Sequence, residues 1–183
     1  PTALTNLGLA RSGKIKDGAQ EGRSIARLTD LGHGQALRKL FREDTPDSPV
    51  PEELAQALLV VMKDWASAWG DRPAAIVMVE SARRPLLTAD LAAGLARVMQ
   101  IPIAGSWAIV GPNVPPGAGQ ANSAQRVSAV ARRFALRADI PPGAAILLVD
   151  DLVVSGWTLT LAAQAIREAG ASAVWPVTLG TQN

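Results

Sequence analysis

The chain has 183 residues, enough for one domain with a substantial core, and its 48% hydrophobic and 19% charged residues exclude a disordered polymer. No apolar run approaches the roughly 20 residues of a membrane-spanning helix. The formal charge is only +2, so any contact with nucleic acid needs a local basic patch; the lack of cysteine excludes disulfides and cysteine-ligated zinc and suits a reducing, cytoplasmic setting.

Residues 1–50 mix glycines, charges and short apolar groups and form the first expected unit, an irregular hood-like or linker subdomain. A short strand is expected at 24–28, a short helix at 35–41 and a Pro/Asp/Ser connector at 44–50. The second unit, 51–183, opens with Pro51 in the favoured first helical position, and Glu52 and Glu53 suit the positive end of the helix dipole. Leu54, Leu58, Val61, Met62, Trp65 and Trp69 recur at helical spacing and give one apolar face, with Gly70 as the stop. Trp65 and Trp69 are read as core and not as a base-stacking pair.

From Ala74 the pattern changes. AAIVMV (74–79) is a buried strand; 86–99 is a helix with Leu87, Leu91, Leu95 and Val98 inward; IPIAGSWAIV (101–110) is another strand. GPNVPPGAG (111–119) suits only a loop, 120–136 reads as a helix, and AAILLVD (144–150) as a buried strand. A helix at 159–169 ends at Gly170, and AVWPVTLG (173–180) is the last strand. Continuous apolar strands alternating with helices predict an α/β fold, a parallel twisted sheet flanked by helices, and ligands in such sheets sit at the carboxyl ends of strands.

One such end carries chemistry. ILLVDDLVVSGWTLTLAA (146–163) runs four aliphatic residues into Asp150 and Asp151, then a loop with Ser155, Gly156 and Thr158, then a helix. The loop and helix start favour a phosphate through free amides and the dipole, and the hydroxyls add donors. The two carboxylates disfavour a phosphate but suit ribose hydroxyls or an oxygen-coordinated magnesium ion. Together they describe a phosphoribose site.

This stretch resembles the signature of type I phosphoribosyltransferases. The resemblance implies that fold, with Asp150 and Asp151 on the ribose and magnesium, and Val154, Ser155, Gly156, Trp157 and Thr158 as the 5′-phosphate loop. Val154 stands where the family has a Thr or Asp, and Trp157 is bulky for its place. ESARRP (80–85) falls where the family holds pyrophosphate, which assigns Ser81, Ala82, Arg83 and Arg84 to that group; 111–120 matches a loop that closes over the site. The spacing of Gln120, Arg126 and Phe134 is similar to ComF-type proteins, apart from Ala129 in place of an Asn. Arg126, Arg133 and Arg137, placed on one side of a helix, are candidate DNA contacts or simply a solvated face. His33, the one histidine, is read as a surface residue.

A wider set of pieces resembles the C-terminal phosphoribosyltransferase-like domain of bacterial RecQ-type DNA helicases: PTALTNLG, SIARLTDLGHGQALRKLF, the VPEEL helix, Ser-x-Arg-Arg-Pro, QANSAQR and VDDLVVSGWTLTLAA. Trp157 fits that subgroup. The resemblance implies an accessory domain of an ATP-dependent helicase, with the helicase core of the same polypeptide as partner and Pro1 as a fragment boundary. The chain itself has no Gly-x-x-x-x-Gly-Lys-Ser/Thr loop and no structural metal motif. Its pocket would bind a phosphoribosyl or nucleotide ligand or DNA. The alternatives are an active transferase using phosphoribosyl pyrophosphate and magnesium, and a basic DNA-binding module with a vestigial pocket.

Overall fold

A computed structural model describes residues 18–112 and 123–182. In chain order the elements are β1 (Arg23–Arg27), α1 (His33–Leu40), α2 (Glu52–Trp65), β2 (Ala75–Val79), α3 (Pro85–Met99), β3 (Ile103–Ile109), α4 (Ser123–Arg133), β4 (Phe134–Ala138), β5 (Ala145–Val153), α5 (Trp157–Glu168) and β6 (Ala173–Thr181). The six strands form one sheet in the order β1-β6-β5-β2-β3-β4. All neighbours are parallel except β3 and β4.

Strand β5 lies at the centre, and its side chains alternate between two cores. Leu147 and Val149 face α1, α2 and α3, where Leu37, Leu54, Leu58, Leu87 and Leu91 are buried. Ile146 and Leu148 face α5 and Phe134, among Leu159, Ala162 and Ile166. Covering both faces removes the polar alternation of an exposed strand, hence the unbroken ILLV run. Each of these side chains is fully buried, worth about 1.5–3 kcal/mol apiece.

Several expected boundaries move. Helix α2 ends at Trp65 and passes through a 3-10 turn, Ala66–Ala68, before Gly70. On α3 the inward stripe runs Leu87, Leu91, Leu95, Met99 in four-residue steps. Val98, at the margin of that stripe, is exposed in the groove between α2 and α3 and not inward as expected. The expected 120–136 helix stops at Arg133, because Phe134–Ala138 gains a ladder on β3 with Ile109 opposite Phe134 and Trp107 opposite Leu136. The Trp107 and Phe134 rings stack 6.1 Å apart at an interplanar angle of 8°, which rewards the strand over a further helical turn. Arg137 therefore sits on a strand, and the expected one-sided helical stripe of arginines does not form.

Ahead of Pro51, residues 23–40 join the same sheet and core. Strand β1 is the edge strand beside β6, and Leu37 and Leu40 of α1 enter the larger core. Most of the expected 111–119 loop, and the PTALTNLG stretch, lie outside the described residues. Among the described residues no helix is long and apolar enough to cross a membrane.

Candidate phosphoribosyl site

The sheet's register makes the cleft. Strand β5 runs on to Val153, pairing Asp150 with Thr178, Leu152 with Gly180 and Val153 with Thr181 of β6. On its other side β2 pairs only as far as Met78 opposite Val149 and ends at Val79. The chain then turns away through 80–84, so the last residues of β5 have no strand neighbour on that side. The resulting cleft, about 580 Å3, is lined by the turn (Glu80, Ser81, Ala82, Arg83), by Arg133 and Phe134, and by Asp150, Asp151 and Thr158.

Asp150 is buried, 8% exposed, and Asp151 half-buried. The Asp151 amide donates to Asp150 Oδ1 at 2.8 Å. Burial, then repulsion from Asp151, pushes the Asp150 carboxyl well above the usual carboxylate range. Burial also raises Asp151, with the backbone amides and the positive charge of Arg84 pulling the other way. Two adjacent carboxyls partly taken out of water are costly, which makes the pair a candidate binding site.

The turn 80–84 is tightly held. Glu80 accepts from Ser106 Oγ at 2.8 Å and from the Ile109 amide at 2.8 Å. Ser81 Oγ accepts from the Arg84 amide at 3.0 Å, leaving its proton to donate elsewhere. The two arginines separate. Arg83 is exposed in the cleft, 3.9 Å from Glu43. Arg84 is only 3% exposed, its guanidinium donating to the Arg42 carbonyl at 2.9 Å and lying 5.4 Å from the Phe41 ring centroid. The structure thus brings together Asp150, Asp151, Ser81, Ala82, Arg83 and Thr158, and leaves Arg84 out of the cleft lining, buried on residues 41–42.

Beyond the pair, the chain leaves β5 through exposed Val154 and Ser155 and reaches Gly156 at φ 75°, the residue before α5. No neighbour lies within 4 Å of where a Gly156 Cβ would stand, so glycine is demanded by backbone conformation and not by space. The first amides of a helix have no intrahelical partner, and here they follow the turn beside the aspartates. Trp157 packs against the α5-side core, which removes its bulk from the loop.

Glu80, which opens the ESARRP stretch, also lines the cleft, as do Arg133 and Phe134, which the sequence did not place there. Their proximity depends on β4 folding back beside β3. Arg133, expected on a DNA-facing stripe, is half-buried here, its guanidinium 5.2 Å from the Phe134 ring, whereas Arg137 is exposed. The Arg126 side chain lies outside the described residues.

No cluster of three or more His, Cys, Asp or Glu side chains able to hold a metal ion exists among the described residues. A magnesium ion shared with ligand oxygens needs only one or two carboxylates, and the Asp150–Asp151 pair fits that pattern.

No protein-family model matches the sequence, and no curated protein sequence matches it. Solved structures do match. Adenine phosphoribosyltransferase from Leishmania tarentolae aligns over 89% of this chain and 94% of its own, at 13% identity and a TM-score of 0.52. The Saccharomyces cerevisiae adenine phosphoribosyltransferase, complexed with an imino-altritol bisphosphate and adenine, aligns over 81% and 88%, at 18% identity and a TM-score of 0.51. The fold is that of the type I phosphoribosyltransferases. At these identities the likeness concerns the fold, and function must be argued from the site. A longer protein, Leishmania donovani UMP synthase, is matched over 22% of its length at a TM-score of 0.38.

Proposed function

We propose that this chain binds a phosphoribosyl ligand, a nucleotide or phosphoribosyl pyrophosphate, in the cleft beside the end of β5. The observation that carries the proposal is buried Asp150 and half-buried Asp151 opening into the same cleft as Arg83 and Thr158, one turn from the Gly156 entry to α5. In this reading Asp150 and Asp151 accept from the ribose hydroxyls, and Ser155, Gly156, Trp157 and Thr158 hold the 5′-phosphate through backbone amides and hydroxyls. The turn 81–83 faces the pyrophosphate, with Arg83 as its cation. Magnesium, when bound, offsets the charge of the aspartates and the pyrophosphate.

The wider assignment is an accessory domain of a RecQ-like DNA helicase, supported by the succession of sequence resemblances along the chain. The ligand would then be regulatory, with the helicase core as partner. Titration calorimetry with phosphoribosyl pyrophosphate, ribose 5-phosphate and nucleotides, with and without magnesium, tests the pocket. Binding lost in the Asp150→Asn/Asp151→Asn double variant supports it; no heat from any ligand sinks it. The reading frame upstream of Pro1 tests the context: helicase ATPase motifs there support it, and a reading frame without them sinks it.

A second reading, an active transferase, is favoured by the exposure of Arg83 within reach of the same cleft as the aspartates. A base nitrogen would bond to the ribose anomeric carbon as the carbon–oxygen bond to pyrophosphate breaks, with positioning and charge stabilisation supplying the rate. Release of pyrophosphate with a panel of bases distinguishes it from binding alone. The DNA-binding reading retains Arg137 as an exposed cation, and salt-dependent DNA affinity lost in Arg137→Ala is its mark.

A further inference from the structure

The geometry points to Arg84 as a positioning residue that fastens the segment 41–47 to the turn 80–84 and so sets the pyrophosphate side of the cleft, a role that rests on the phosphoribosyl reading above. Sequence alone assigns Arg84 to the ligand beside Arg83. The fold gives it a different occupation: its guanidinium is buried, donates to the Arg42 carbonyl and faces the Phe41 ring. A buried guanidinium is retained only where its hydrogen bonds and packing offset desolvation.

Arg84 does not act alone along this seam. Asp47 accepts from the amides of Leu86 and Leu87 at 2.7 and 3.2 Å, capping α3 from across the seam. The Val50 amide donates to Asp90 at 2.9 Å. On the turn itself, Arg84 is followed by Pro85, which restricts its backbone, and its amide is held by Ser81 Oγ. Ser81, Ala82 and Arg83 are therefore suspended between two fixed points, the Glu80 bonds to β3 and the Arg84 anchor on 41–42. Shifting the second point displaces the turn that faces pyrophosphate while leaving Asp150, Asp151 and the α5 entry on β5. The 5′-phosphate loop at the α5 entry should not feel that shift, although the Arg84 charge itself also acts on Asp151.

The test uses the full chain with Arg84→Met, Arg84→Lys and Asp47→Ala, inorganic pyrophosphate and ribose 5-phosphate as separate probes, and hydrogen exchange on the ligand-free protein. Asp47 lies outside the cleft, so its variant reports the seam without touching ligand. Arg84→Met and Asp47→Ala should each speed exchange in 41–47 and 80–84 by about tenfold or more, with β5 unchanged. Pyrophosphate affinity should fall about tenfold in Arg84→Met and in Asp47→Ala, and ribose 5-phosphate affinity should stay within about twofold in Asp47→Ala, which keeps the Arg84 charge that Asp151 feels. Arg84→Lys keeps the charge without the planar fork and should recover only part of the loss.

Loss of both ligands together in Asp47→Ala would show general damage and overturn the proposal. Pyrophosphate loss in Arg84→Met without faster exchange in either segment would make Arg84 a direct ligand and overturn it as well. If Arg84→Met does not fold, Asp47→Ala decides by the same criteria. A wild-type chain that binds neither probe overturns the phosphoribosyl reading, and this ligand role with it. Exchange in the ligand-free variants separates that failure from a seam that Arg84 does not hold.

Discussion

Asp150→Asn should stabilise the ligand-free protein and abolish its response to ligand. The Asp150 carboxyl is raised by burial and by Asp151, so the folded state holds its proton more tightly than the unfolded chain, where the pKa is about 3.9. The sign follows directly: stability falls as pH climbs from the unfolded value through the raised folded one, and above that the ionised pair is a net cost. Asparagine keeps an oxygen to accept the Asp151 amide, now 2.8 Å from Asp150 Oδ1, and removes the charge. Relieving a poorly compensated buried group of this kind is worth about 1–3 kcal/mol. In a domain of this size each kcal/mol moves Tm by about 2–4 °C. Thermal melts of both proteins between pH 5 and 8 in chelator-treated buffer should show the variant gaining on wild type as pH rises. Magnesium with phosphoribosyl pyrophosphate should then raise the wild-type Tm and leave the variant unmoved. A variant less stable than wild type at pH 8 would refute the placement of a poorly compensated Asp150 carboxyl in this cleft.

Other substitutions separate backbone, loop and core. Gly105→Ala should be severely destabilising, by about 3 kcal/mol or more in urea melts, because φ is 148° and its Cβ would stand 2.1 Å from the Arg137 carbonyl oxygen. Gly156→Ala meets no neighbour, so it should cost only the strain of a positive φ, about 1–2 kcal/mol. Val154 is 55% exposed, so Val154→Thr should leave stability within about 0.5 kcal/mol while its new hydroxyl tightens ribose 5-phosphate binding by calorimetry. Leu148→Ala, at a fully buried position, should cost about 2–5 kcal/mol in the same urea melts.

Much of this protein is legible in its sequence, because periodicity and local turn chemistry are local properties. The ILLV run needs cover on both faces, the helical spacing of Leu54, Leu58 and Met62 needs one buried side, and Gly156 sits where only a positive φ turns the chain into α5. Those patterns set the α/β alternation and put the two aspartates at the carboxyl end of a strand. Tertiary structure decided what depends on distant partners. The residues 134–138 became a strand through pairing with β3, which broke the arginine stripe and brought Arg133 and Phe134 to the cleft. Two adjacent arginines look alike in the sequence, yet Arg83 faces the cleft and Arg84 is buried on residues 41–42. That choice was made by a carbonyl and a ring some forty positions away, because a guanidinium leaves water only where such partners await it.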